Sequence, residues 1–397
     1  MSKNPSSPRG PDIQPPSQKG VLSKITRHPR ALVLAAGIAV TSGIVGYMLQ
    51  TSQNAQSVLQ EGGGDQNDKN DGEQARVNQM QESLPRLRAA LSAHGKILGE
   101  DGDENPTNVV VCIQMVHGTA DLLSVIASDA TLFPQYVGHQ SALKAAIESA
   151  WEQVPEGTRI LSIEGASGKL EQWTEIPRLG LFQAMAFNEA FTNNEESPEA
   201  LNLLRSGLTD PRTAVLTTEA YRGDMRFAAK LVSEGKRDSI DGAESLDPSP
   251  IESGGASLMT LLQDPRLSAD EVYEQFMAEQ TDVTLKNFRT RHPEYVKNIK
   301  AKASPGTTIF FTLGSQHWSN KKNPVFVTPE DVGIDTYLRQ IPGSRLIHFA
   351  PNGLSEMEAP MKRWLVVING RPFTAEQLRQ IIKLQHSQLH GKGSKTR

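Results

Sequence analysis

The sequence is short of several things, and each shortage closes off a class of protein. It has one cysteine, Cys112, in 397 residues, so no disulfide can form within the chain whatever its redox surroundings. That cysteine lies in an apolar run, where a small buried core residue is its ordinary role. The formal net charge is only -4, too little of either sign to draw the whole molecule to nucleic acid. Motifs that announce a reaction are missing as well. There is no G-x-S-x-G, which removes the usual nucleophile elbow of an α/β-hydrolase, and no H-E-x-x-H or G-x-G-x-x-G. Gly165-Ala166-Ser167-Gly168-Lys169 has the Gly-Lys pair of a phosphate loop without its spacing, because Ile163 and Leu170 stand where that loop needs Gly and Ser or Thr.

Long uncharged runs are scarce too, but one is present. Ala31 to Leu49 holds 19 residues without a charge, close to the ~20 that a helix needs to cross a bilayer. Lys3, Arg9, Lys19, Lys24, Arg27 and Arg30 precede it against Asp12 alone, and Glu61, Asp65, Asp68, Asp71 and Glu73 follow it against Lys69 alone. This asymmetry predicts a cytoplasmic N-terminus and an extracytoplasmic body, periplasmic or at the cell surface. The run is longer than the core of a signal peptide and no A-x-A site follows, which favours an uncleaved anchor over a cleaved leader. Ala35, Ala39 and Gly43 form a small-residue stripe on which two such helices, and so a homodimer, could pair.

The remaining chain divides by composition. Residues 1–30 read as a disordered basic N-terminus, 31–49 as the transmembrane helix and 50–75 as a polar linker. Residues 76–104 read as a helical neck, bent or broken near Pro85. Residues 105–385 read as the folded body and 386–397 as a disordered basic tail. Candidate strands are Val109–Met115, Arg159–Ile163, Thr308–Leu313, Arg345–Phe349 and Trp364–Ile368. Between them stand amphipathic runs at Ser141–Gln153, Ile176–Phe191, Pro198–Ser206, Thr218–Glu234, Ala269–Glu279 and Arg291–Ala303. Apolar strands separated by helices predict an α/β fold with a mainly parallel central sheet, flanking helices and an inserted helical subdomain at about 173–283. Asp238 to Ser257 has no periodicity and reads as a surface loop.

Three of the candidate strands end in a polar group. The first ends Gln114-Met115-Val116-His117-Gly118, the second Glu164-Gly165, and the third Gly314-Ser315-Gln316-His317. Loops converge at the carboxyl ends of such strands, so His117, Glu164 and His317 are the candidate catalytic residues. Two imidazoles and a carboxylate suit a divalent metal such as Mn, Zn or Co that activates water. They also suit metal-free catalysis, with one His as general base and Glu164 orienting it. Taken singly, a strand-end His is more often a hydrogen-bonded structural residue, and a carboxylate bonded to a neighbouring loop's N–H groups would account for Glu164; the three together shift the balance toward chemistry. Cys112 faces the core, and His28, His94, His386 and His390 fall outside the predicted body.

The joint order of these segments, strand-Q-x-x-H-G, a helix starting near His139-Gln140, strand-E-G-A-x-G, an Arg-initiated helix at Arg291-His292-Pro293-Glu294-Tyr295, then strand-G-S-Q-H, resembles the superfamily of Tiki, TraB, ChaN and erythromycin-esterase-like proteins, in its uncharacterised bacterial branch. The resemblance spans about Asn108 to Pro351. It implies that His117 and His317 are the family's paired strand-end histidines, Glu164 its acidic site residue and Arg291 a guanidinium lining the pocket. It also makes Gln316, inside the G-x-x-H motif, a substrate contact. Gln114 stands where that motif has glycine, and would narrow the pocket or offer an amide to the substrate. Tyr221-Arg222-Gly223-Asp224 is similar to a further family element. The activity implied is hydrolysis of an ester or peptide bond, with a peptide or small molecule as substrate. A non-catalytic protein holding haem or another ligand through the same histidines is the alternative, and a scaffold acting through neck and anchor is a third.

Overall fold

The computed structural model describes residues 66–116, 120–191, 197–246, 258–319, 328–361, 366–368 and 371–390. The predicted membrane segment at 31–49 lies outside them, and no helix among the described residues is long and apolar enough to cross a membrane.

Six strands form the central sheet: β1 (Gly95–Gly102), β2 (Asn108–Met115), β3 (Arg159–Lys169), β4 (Ile240–Glu244), β5 (Thr308–Gly314) and β6 (Ser344–Pro351). Their order is β1-β6-β2-β5-β3-β4, with every pair parallel except the edge pair of β1 with β6. The α/β class and the mainly parallel sheet expected from the sequence are therefore present. Every residue of β2 and β5 is buried, which explains why these strands read as unbroken apolar runs: both faces are covered. On one face Val110, Cys112, Ile309, Phe311 and Leu313 pack on Tyr295, Val296 and Ile299 of one long helix and on Ile334 and Leu338 of another. On the other face the Phe310 ring meets Trp151, which in turn meets Phe227.

Twelve helices are described: α1 (Gln66–His94), α2 (Ala120–Ser128), α3 (Leu132–Trp151), α4 (Glu175–Phe191), α5 (Pro198–Thr209), α6 (Ala214–Tyr221), α7 (Gly223–Ser233), α8 (Leu258–Gln263), α9 (Ala269–Lys302), α10 (Ile334–Leu338), α11 (Leu354–Met361) and α12 (Ala375–His390). Several differ from what the sequence suggests. The segment read as linker end and neck is α1 followed by edge strand β1. Val77, Met80, Leu84, Leu87 and Leu91 are buried at alternating spacings of three and four, and α1 packs on α3, so this helix is part of the body. Pro85 lies on its exposed side and the helix runs through it. The supposed loop from Asp238 begins as strand β4, whose Ile240 to Ala243 are buried although only Ile240 is large and apolar. So short a strand offers no alternation to read.

Two predicted helices are one. Helix α9 runs 34 residues from a capping box at Ser268 and Glu271, and the boundary at 283 falls inside it. Val272, Tyr273 and Phe276 enter a satellite cluster with Leu261, Leu262, Leu378 and Ile382, whereas Tyr295, Val296 and Ile299 enter the main core. Its two halves bury against different partners, so the apolar stripe looks interrupted. Conversely, the run Thr218–Glu234 is split into α6 and α7 at Arg222, whose backbone is extended (ψ 136). Of the predicted strand at 364–368, Val366–Ile368 are described; they form β7, which among the described residues pairs with β8 (Arg371–Phe373) alone. The predicted tail is helical to His390, with His386 and His390 bonded to the carbonyls of Leu267 and Leu262.

Candidate active site at the carboxyl ends of the strands

Strands β2 and β5 are neighbours and end level, Met115 opposite Gly314, while β3 leaves the β5 ladder at Ile163 opposite Thr312. The three strand ends singled out in the sequence therefore share one rim. His117 lies outside the described residues. The other two predicted catalytic groups meet: His317 Nε2 is 3.3 Å from Glu164 Oε1, and both residues are buried.

Glu164 is aimed by a bulge. The pairing of β3 with β4 jumps from Ile163 to Ser167, which frees Glu164 to Ala166 from the ladder and turns the carboxylate toward β5. Gly165 takes φ +88 there, and Gly242 of β4 backs so closely on the bulge that an added Cβ would stand 2.2 Å from the carbonyl of Ala166. Glu164 Oε2 accepts the Gly314 N–H at 2.8 Å, and its main-chain oxygen accepts from Arg222 Nη2 at 3.0 Å.

His317 is delivered by one 3₁₀ turn, Ser315–His317, directly after β5. Its Nδ1 lies 2.8 Å from Nε2 of His292, whose own Nδ1 lies 2.6 Å from the carbonyl oxygen of Val332. His292 is wholly buried on α9. Desolvation, reinforced by the neighbouring His317 and Arg291, lowers its pKa to about 3, so it is neutral under ordinary conditions. Phe288, one turn earlier, stacks on His292 at 4.8 Å between ring centroids and lies 4.5 Å from the His317 ring.

The opposite side of the rim is held through main chain. His139 Nε2 accepts the N–H of Val116 at 3.1 Å, and Gln140 Nε2 donates to the Val116 carbonyl at 2.9 Å. Both side chains are completely buried on α3, and burial lowers the pKa of His139 to about 4. Gln140 Oε1 accepts the Gly223 N–H at 2.8 Å. This approach requires glycine, since a Cβ on Gly223 would stand 2.4 Å from the Gln140 carbonyl. Arg222 donates to Asp224 from Nε (3.1 Å) and Nη2 (2.8 Å) and to Glu219 from Nη1 (3.1 Å), and Asp224 also accepts from Thr312 Oγ1 at 2.7 Å. Burial opposes the Arg222 charge, but Asp224 and Glu219 more than reverse this and raise its pKa.

The other predicted site residues fall as follows. Arg291 is in the middle of α9 rather than at a helix start. It donates to Glu244 Oε1 at 2.6 Å and to the Tyr295 hydroxyl. Burial works against its charge, and Tyr295, Glu244 and Glu164 together raise its pKa, so the Glu164 charge is felt there. Gln114 is buried, and its Oε1 has no hydrogen-bond partner among the described residues. Gln316 is exposed, and its carbonyl accepts from Thr328. His292, His139, Gln140 and Asp224 stood only within segments that carry the resemblance and were given no role in the site, because a buried polar residue inside a helix carries no mark in sequence. Arg222 was noticed only within Tyr221-Arg222-Gly223-Asp224.

Among the described residues no group of three His, Cys, Asp or Glu could hold a metal. Two donor atoms do converge, His317 Nε2 and Glu164 Oε1, and the second nitrogen of His317 already has a partner, as a ligating imidazole requires. This donor chemistry fits a divalent ion that takes a third ligand from elsewhere. None of the known protein families, curated proteins or solved structures compared with the chain matches it.

Proposed function

We propose that the chain is a membrane-anchored, extracytoplasmic hydrolase of ester or peptide bonds, a distant member of the Tiki, TraB and ChaN-like superfamily. The observation that carries this reading is the contact of His317 Nε2 with Glu164 Oε1 at 3.3 Å, with Nδ1 of the same ring already engaged. An imidazole held in this way has a single nitrogen for chemistry, beside a carboxylate that stabilises positive charge on the ring. Nε2 of His317 takes a proton from the attacking water as it adds to the substrate carbonyl. Glu164, held by the Gly314 N–H, stabilises the imidazolium, and the same proton then passes to the leaving group. Arg291 supplies the positive charge on the α9 side that can hold a substrate carboxylate. A divalent metal at this site would be held by His317 and Glu164, with His117 as the predicted third ligand, and would supply Lewis acidity and activate a water.

The test uses the full chain, purified without chelators. Elemental analysis and an absorption spectrum come first, followed by turnover of chromogenic esters and of peptides. We expect hydrolysis that falls about 10²–10⁴-fold in His317→Ala and in Glu164→Gln, with the circular dichroism unchanged. A Soret band without hydrolysis, or turnover equal to wild type in both variants, would overturn the reading. Anchoring by 31–49 predicts that the chain stays in the membrane pellet through alkaline extraction; release into the supernatant would refute it.

A further inference from the structure

Two buried polar atoms on the α9 face of the sheet go without a hydrogen-bond partner among the described residues: Gln114 Oε1, an acceptor, and Trp318 Nε1, a donor. Both residues are 3% exposed, against 5% and 7% for Glu164 and His317, so they are closed off to about the same degree as the candidate site itself. An unbonded polar atom at such depth costs stability, and each one asks for a reason.

The strand register places both atoms. Cys112, Phe311 and Leu313 pack on α9, and Lys302 of α9 reaches Ser162 of β3. Side chains alternate along a strand, so Gln114 faces α9 as Cys112 does, and Glu164 shares that side through its contact with His317. Gln114 stands opposite Leu313, and β3 borders the far edge of β5, so Gln114 and Glu164 leave strands about 10 Å apart. On its other edge β2 meets β6, where Cys112 stands opposite His348, and the His348 ring lies edge-on to Trp318 at 5.6 Å between centroids. The turn after β5 therefore sends His317 toward β3 and Trp318 toward β6, and Gln114, on β2, lies between those directions.

An unmet acceptor and an unmet donor that do not bond each other fit one chemical group. An amide offers an N–H to the first and a carbonyl oxygen to the second. We propose that Gln114 and Trp318 form a subsite for an amide group of the substrate, on the β2 side of the His317–Glu164 pair. This rests on the hydrolase reading and narrows its substrate class: the molecule cleaved carries an amide roughly 10 Å from the scissile bond. That amide is a peptide unit or the carboxamide of an Asn or Gln side chain. Neither residue meets the reacting atoms; their part is selection.

The experiment uses the full chain and four nitrophenyl esters with one leaving group. Acetyl-glutaminyl against acetyl-methionyl ester tests a side-chain carboxamide, and acetyl-trialanyl against acetyl-alanyl ester tests a further peptide unit. We expect one of these pairs to differ by about 10–100-fold in kcat/KM. Gln114→Met, which keeps the shape and removes the amide, should abolish that ratio, and Trp318→Phe, which removes the N–H, should reduce it. Because Gln114→Met also removes an unpaired buried amide, its urea midpoint should equal or exceed that of wild type; a clear fall would mean that the amide is bonded within the protein and would count against the subsite. A wild type indifferent within both pairs, or a folded Gln114→Met that keeps the ratio, overturns the inference. Should Trp318→Phe not fold, Gln114→Met decides alone. If no ester is hydrolysed, calorimetry with the same four acyl groups as simple amides decides: selective binding that Gln114→Met abolishes upholds the subsite, and its absence in wild type ends it. An active hydrolase without an amide preference refutes the subsite and leaves the hydrolase reading standing.

Discussion

Two sides of the molecule grip the strand ends of one rim in different ways. On the side of α3 and the α6–α7 junction, the grip is on main chain: Val116 N–H and carbonyl, Gly223 N–H and the Glu164 carbonyl. On the side of α9, side chains are held as well: the His317 ring through His292, and Glu244 through Arg291 and Tyr295, beside the carbonyls of Ala243 and Gly242, which accept from Asn298 and Lys302. The first side is a network with Arg222 and Asp224 at its buried centre, exposed 3% and 0%, and Glu219 at its open edge. The second includes partly exposed groups. The difference separates two tasks. Holding backbone determines where the strand ends lie, and losing it costs stability; holding side chains determines how the reacting groups are presented, and losing it costs chemistry.

The largest expected effect breaks the first side. Asp224→Ala leaves Arg222 buried, with Glu219 as the one carboxylate it still donates to and the Thr312 hydroxyl without its acceptor. We expect a loss of about 3–5 kcal/mol in urea unfolding, whereas Thr312→Val, which removes one bond to a charged acceptor, should cost about 2 kcal/mol. A loss below about 1 kcal/mol in Asp224→Ala would erase the contrast between the two sides.

Acid sharpens the comparison, because each side holds one buried neutral histidine. The folded pKa of His139 is lowered to about 4 and that of His292 to about 3, against roughly 6.5 in an unfolded chain. The unfolded state therefore binds more protons as pH falls below about 6.5. Stability is full above that value and declines through the window down to about 4 for His139 and about 3 for His292. His139 alone accounts for about 3 kcal/mol across its window. Urea midpoints measured from pH 7 to pH 4 should fall, and His139→Gln should flatten the decline by about half. An unchanged slope in that variant would mean that carboxylates, not these imidazoles, govern the acid limb.

Much of the sheet was legible in the sequence for a physical reason: strands covered on both faces must be apolar throughout, as β2 and β5 are. Glu164 and His317 were legible because they follow such runs directly. What could not be read was anything decided by partners distant in the chain. Strand β4 has one large apolar residue and is buried by its neighbours; α1 shows its stripe only once α3 is known to lie beneath it. His292 and His139 are single histidines within helices, and nothing local distinguishes them from hydrated surface residues. Arg291 was drawn from the resemblance, and its partners Glu244 and Tyr295 only from the fold.

Arg291 makes the smallest predicted change in stability and the finest test of the comparison. Its pair with Glu244 is partly open, with side chains 22% and 20% exposed, so the interaction is worth about 1 kcal/mol or less. Arg291→Lys keeps the charge near Glu164 but loses the planar fork that can hold a carboxylate by two bonds while still meeting Tyr295. If the α9 side serves chemistry, this variant should unfold within about 1 kcal/mol of wild type. It should at the same time lose kcat/KM selectively on substrates that carry a carboxylate beside the scissile bond, leaving neutral esters little affected. A variant as unstable as Asp224→Ala would place Arg291 with the backbone grip. Equal losses on charged and neutral substrates would place it among the groups that orient Glu164 rather than among those that meet the substrate.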